Sequence, residues 1–272
     1  MKHKLIILLL LTTFSSANIL FGCNNSTTKS SSTQNNSRES NNSRDKDSSS
    51  KANNITTKTD INTTKNDSID KYTLTSKTYT SNNITITYPQ ISNLSDTSKS
   101  DSINKLLENV ALNLLKSYTQ DEINSLTMEV NYKVTLQNEQ YLSIVYSGLS
   151  NIEDAAYPTS LFYTVNIDLA TGSIIPLSSF ANINNINSKL KNPSSIKVLA
   201  DTNELSDAQK AFLTNLNDSD LLSLLKDSDF KLSDGTIKPP TTGTYSYMTS
   251  EGIVVSLQVV HALCDHAEFL IK

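Results

Sequence analysis

Five residues with donor side chains crowd one short stretch of the chain: His261, Cys264, Asp265, His266 and Glu268. Imidazole, thiolate and carboxylate are the groups that hold zinc or copper, so a metal site is the sharpest chemistry this spacing can carry. The flanking pattern reads strand, turn, strand, and alternation along a strand sends His261 and Cys264 to opposite faces. The stretch is therefore read as a structural turn held by hydrogen-bonded histidines, with no metal and no cofactor expected. A nucleophile at Cys264 would need His261 or His266 as its base, together with a third member and oxyanion donors that the sequence does not show. The adjacent carboxylates Glu153 and Asp154 suit glycoside hydrolysis by type, but neighbours on a loop read as solvated surface. No enzyme activity is expected.

A different chemistry is written at the other end of the chain. Lys2 and Lys4 precede an unbroken apolar run, Leu5 to Leu11, and a weaker stretch reaches Phe21. This is the pattern of a secretory signal, too short for a membrane span of about 20 residues. It ends in Leu20-Phe21-Gly22-Cys23, which resembles a bacterial lipobox. Residues 1–23 are thus expected to be a lipoprotein signal peptide, with Cys23 taking the diacylglyceryl thioether. Palmitate-type chains anchor stably, at about 0.8 kcal/mol per buried CH₂. The body is expected at the extracytoplasmic face of the bacterial cell membrane.

Residues 24–70 are dominated by Ser, Asn and Thr, and their apolar residues are Ala52, Ile55, Ile61 and Ile69. Such a segment buries too little surface to offset the entropy of ordering it, so a disordered tether is expected. Its end-to-end distance would be roughly 35–40 Å, from about 5–6 Å × √n. The full chain of 272 residues has a net charge of -4, but residues 71–272 carry 14 basic and 21 acidic side chains, a net of -7. An acidic body disfavours nucleic acid and anionic wall polymers and favours cationic partners. Two cysteines, Cys23 and Cys264, make no disulfide framework, and both are expected to be unpaired.

Periodic patterning starts near Tyr72. Leu74 and then Ile84, Ile86 and Tyr88 alternate as in strands, stopped by Pro89. Ile103, Leu106, Leu107, Val110, Leu114 and Leu115 recur on one helical face, predicting a helix over 101–118 capped by Ser100 or Asp101. Leu126, Met128, Val130, Tyr132, Val134 and Leu136 alternate strictly, and Asn138-Glu139-Gln140 turns them into a second strand over 141–149. A third strand is predicted over 161–169. Helical patterns follow at Ile183–Leu190, at Ala208, Ala211 and Phe212, and at Leu221–Leu225 behind Asp218 and Ser219. Pro239-Pro240 interrupts the chain, and strands return at 243–249, 253–260 and 267–271. Strands and helices in runs argue for an α+β fold with mostly antiparallel sheets and packed helices.

Several stretches of this body carry a resemblance: Ser143-Ile144-Val145-Tyr146, Ala155-Ala156-Tyr157-Pro158-Thr159, Phe162 to Gly172, Leu177-Ser178-Ser179-Phe180, Ser246-Tyr247-Met248, Gly252 to Ser256, and His261 to Glu268. Over roughly Leu74 to Lys272 the chain resembles the extracytoplasmic domains shared by RsiV-type anti-sigma factors and PdaC-type wall deacetylases. The resemblance implies two subdomains, residues 71–160 and 161–272. Relatives usually have Gly where this chain has Cys264, and often a His in the loop where it has Tyr157. No deacetylase domain is expected after Lys272, and no cytoplasmic segment before the apolar run. The implied function is that of a surface-anchored, non-catalytic binding module of the cell envelope. Its expected partners are the membrane, through Cys23, and either peptidoglycan or a lysozyme-like cationic protein. A wall-acting hydrolase and a structural partner of an envelope complex are the alternatives. The expected ligand surface is Tyr146, Tyr157, Pro158 and Tyr163.

Overall fold

In the computed structural model, residues 72–153 and 155–272 are described, and they belong to one compact unit. Cys23 and the segments expected to be a signal peptide and a tether lie outside them. The chain opens with a hairpin of β1 (Thr73–Ser81) and β2 (Ile84–Ser92), then α1 (Thr97–Ala111), a 3-10 turn (Asn113–Ser117) and α2 (Gln120–Ser125). Three long strands follow: β3 (Leu126–Gln137), β4 (Tyr141–Ile152) and β5 (Thr159–Asp168), with the short β6 (Ser173–Ile174) after them. Together β1 to β6 make a six-stranded sheet in chain order. It is antiparallel except between β2 and β3, where α1 provides the crossover and Ile84, Thr85 and Ile86 face Met128, Glu129 and Val130.

The alternating run from Leu126 becomes β3 with Leu126, Met128 and Val130 buried, and the register with β4 shifts between Val134 and Leu136. That bulge lets the Thr135 hydroxyl reach Ser143 Oγ at 3.1 Å. Along β4, Leu142 to Tyr146 are buried without alternation. Leu142, Ile144 and Tyr146 enter the core under α1, whereas Val145 joins Tyr247, Val254 and Leu270 on the opposite face. A strand covered on both sides reads as a continuous apolar run for this reason.

The second half is a layer of α3 (Leu177–Phe180), α4 (Ile183–Leu190), α5 (Asn203–Asn215) and α6 (Asp218–Asp227) on a four-stranded sheet. This sheet contains β7 (Ile196–Val198), β10 (Tyr245–Met248), β11 (Ile253–Gln258) and β12 (His266–Ile271), in the order β10-β11-β12-β7. A two-stranded ribbon, β8 (Lys231–Ser233) and β9 (Thr236–Lys238), stands apart. Leu177, Leu221, Leu225, Val255, Leu257 and Phe269 form the centre of this second core. The α+β class with mostly antiparallel sheets is observed.

Several boundaries differ from expectation, each for a local reason. The helix begins at Thr97 because Asp96, not Ser100 or Asp101, accepts the Lys99 N–H at 3.0 Å. β2 runs through Pro89, which lies beyond the stretch paired with β3, so its missing N–H leaves no gap in that ladder. In α5 the buried face is Leu205, Gln209 and Leu213, while Ala208 and Ala211 are exposed. The expected boundary at residue 160 falls inside β5, whose pairing with β4 and β6 carries the first sheet on to Ile174.

The two sheets meet along a buried polar seam. Thr164 Oγ1 and Asn166 Nδ2 both donate to the Ser246 carbonyl, at 2.6 and 2.9 Å. Ser143 Oγ donates to Asn166 Oδ1 at 2.7 Å and accepts the Met248 N–H at 2.9 Å. Behind Ser246 sits Asp229, 2% exposed, accepting the Ser246 N–H and hydroxyl at 2.5 and 2.6 Å and the Leu177 N–H at 2.7 Å. Burial pushes its pKa up to about 6 against the pull of these donors.

Candidate functional site

The crowded stretch from His261 to Glu268 is the connection from β11 to β12, and it locks onto the segment leading into β5. His261 stacks on Tyr157 with ring centroids 4.6 Å apart, and His266 stacks on Phe162 at 4.2 Å. Each imidazole also faces a carboxylate. His261 Nδ1 lies 3.1 Å from both oxygens of Asp265, and His266 Nε2 lies 3.6 Å from Glu268 Oε1. Asp265 Oδ2 in turn accepts the Ser160 N–H at 3.4 Å, and Tyr247 donates its hydroxyl to Glu268 Oε2 at 2.6 Å. Desolvation and the Glu268 charge hold the Tyr247 hydroxyl well above its ordinary pKa.

Local backbone chemistry shapes this clasp. Cys264 and Asp265 both have positive φ, 71° and 64°, after the 3-10 turn His261–Leu263. Glycine suits the first of these positions, since a side chain there carries a steric cost. The turn is tied to the helical layer by Gln209, whose Nε2 donates to the Leu263 carbonyl at 3.0 Å and the His266 carbonyl at 3.4 Å. A polar residue between Leu205 and Leu213 at four-residue spacing was the one sequence signal for that tie.

The expected site residues separate. Tyr157 is 59% exposed and Pro158 and Glu153 are exposed beside it. Tyr146 and Tyr163 are corrected: they are 0% and 5% exposed, stacked on each other at 4.7 Å, and belong to the core under α1. Tyr163 donates its hydroxyl to the Ala111 carbonyl at 2.9 Å. Alternation put Tyr146 and Tyr163 on the α1 side of β4 and β5, where both rings are packed into the core and only Tyr163 touches the wall of a cavity. Cys264 is also corrected. It is disulfide-bonded, not a lone thiol. Cys23 and Asp154 lie outside the described residues. Among the described residues, no three His, Cys, Asp or Glu side chains converge as metal ligands.

Beside the clasp opens a cavity of about 590 Å³. Its walls come from the Asn113–Ser117 turn, the start of β5, β9 and the ends of β10 and β11. Phe162, Phe230, Ile237 and Tyr245 make it largely apolar, and Asp265 and His266 close one side. This size is within the range of about 300–1,000 Å³ usual for small-molecule sites.

No protein-family model matches the chain, and no curated protein matches it. Solved structures similar to it include two from the DUF3298 family. A DUF3298 family member from Bacteroides fragilis shares 13% identity with a TM-score of 0.41, over 75% of this chain and 90% of that one. A DUF3298 family protein from Pseudomonas aeruginosa shares 12% identity, also at 0.41, over 74% and 89%. No residue role is taken from either.

Proposed function

We propose that this chain is a non-catalytic binding module of the bacterial cell envelope, lipid-anchored through Cys23, with wall glycan as its ligand. The observation that carries the reading is Tyr157, an exposed ring held flat by His261, which is itself fixed by both Asp265 oxygens. Rigid aromatic rings contribute contact area at low entropic cost, and a sugar ring lies well on such a face. Pro158 next to it adds a second exposed apolar surface. The carboxylates of the clasp are engaged with histidine, tyrosine and backbone groups, an arrangement suited to fixing shape. A lysozyme-like cationic protein is the second reading, supported by the net charge of -7 over residues 71–272.

Co-sedimentation of the full chain with purified wall fragments tests both. Glycan docking predicts binding that survives added salt and falls at least fivefold in Tyr157→Ala. Binding of a lysozyme but not of wall fragments, abolished by salt, would replace the first reading with the second.

A further inference from the structure

We infer that the cavity beside the clasp is a site for an amphiphilic monocarboxylate, a ligand with one anionic end and an apolar aromatic or acyl body. The site is distinct from the Tyr157 surface, since Tyr157 does not line it. Its walls set the body of the ligand: Phe162, Phe230, Ile237 and Tyr245 offer apolar and aromatic surface around one space.

The charged end is set by the 3-10 turn Asn113–Ser117. Side chains three apart eclipse in a 3-10 helix, so Asn113 and Lys116 stand one above the other, and both line the cavity. Lys116 is exposed and makes no ion pair among the described residues, although the body around it is strongly acidic. Asn113 is 7% exposed, and its Nδ2 is a buried donor with no partner. A buried unmet donor costs about 1–3 kcal/mol, and an acceptor brought in by a ligand relieves that cost. One cation and one unmet donor on the same face of one turn fit a single carboxylate. Asp265 is the acidic group on the lining, and His261 and the Ser160 N–H already engage its oxygens. A ligand with two or more negative charges would meet only one cation here.

Equilibrium dialysis of 1-naphthoate against the full chain held in lipid nanodiscs, with empty nanodiscs as the blank, tests the inference. The neutral isostere 1-naphthamide supplies the same apolar body without the charge. Naphthoate is expected to bind at least tenfold more tightly than the amide, and Lys116→Gln is expected to reduce that preference to less than threefold. Lys116→Glu should abolish naphthoate binding, and both variants alter an exposed side chain. In the unsubstituted chain the ring proton resonances of Phe162 should move on addition of naphthoate. Equal binding of the two compounds, no binding of either, a preference that survives Lys116→Gln, or unmoved Phe162 resonances would overturn it.

Discussion

The rings of Tyr157 and His261 lie 4.6 Å apart and within 16° of parallel, although one precedes β5 and the other follows β11. The tyrosine owes its fixed position to a histidine more than a hundred residues away in the chain. His261→Ala should therefore weaken wall-fragment binding while leaving Tyr157 in place as a residue. An aromatic pair is worth about 0.5–1.5 kcal/mol, which corresponds to a roughly two- to tenfold loss. Co-sedimentation of the variant beside Tyr157→Ala measures it, and His261→Phe should restore most of the binding.

Asp229 makes folding stability depend on pH in a defined window. Its pKa is raised from 3.8 to about 6 by burial, so the folded state holds the proton more tightly than the unfolded chain. The stabilisation from that proton is fully present below about pH 3.8 and is lost as pH rises through about 6. Urea unfolding at pH 5 should show roughly 1 kcal/mol more stability from this group than at pH 7.5. Asp229→Asn should flatten that trend. It should also cost about 1–3 kcal/mol, because an amide turns a donor toward Ser246 or Leu177 donors.

Tyr146 offers the opposite case. Its hydroxyl is buried among Tyr132 and Tyr88 with no hydrogen-bond partner, and burial drives its pKa far above the ordinary value. Tyr146→Phe keeps the stack on Tyr163 and removes an unmet polar group. Thermal unfolding is expected to show unchanged or higher stability, by up to about 1 kcal/mol.

Gly148 of β4 sits opposite Val130 of β3. A Cβ built there would sit 1.9 Å from the Glu129 carbonyl oxygen, a backbone atom that cannot yield without moving the strand. Gly148→Ala should destabilise by about 3 kcal/mol, the upper end of overpacking costs, as read by urea unfolding.

The proposed lipid anchor can be tested by counting sulfur. Cys264 is disulfide-bonded, and Cys23 is the only other cysteine of the chain. A thioether at Cys23 and a disulfide between these two sulfurs within one chain exclude each other. Intact mass of protein extracted from membranes decides between them: a diacylglyceryl group at Cys23, with Cys264 reduced or paired to a second copy, is the outcome expected of the proposed anchor, and an unmodified Cys23 would overturn that anchor.

β3 was legible because its two faces differ. Leu126 to Lys133 alternates between core and solvent up to the bulge, and α4 shows its Ile183, Ile186 and Leu190 face plainly. β7 and the β8-β9 ribbon escaped because strands of three residues have no period to detect. The four residues expected to share one surface divide for a related reason. Tyr157 stands before β5 and is exposed, whereas residues 142–146 of β4 and 163–167 of β5 are buried on both faces, so alternation assigned Tyr146 and Tyr163 a side without revealing that both sides are covered there. The stacking of Tyr157 on His261 had no sequence signal, since it depends on how the two sheets meet.

The position of β12 between β11 and β7 has a consequence for the order of assembly. Among the described residues β7 pairs with β12 alone, joining Val198 to Phe269 across about seventy residues. Closing so long a loop is slow, because its contacts reward the chain only after both ends have met. The first sheet, built from neighbours in chain order, can form while the chain is still emerging. The second sheet waits for its latest strand, and the clasp onto Tyr157 waits with it. A chain halted before Phe269 would therefore present a finished first sheet beside an open helical layer, a natural target for proteases.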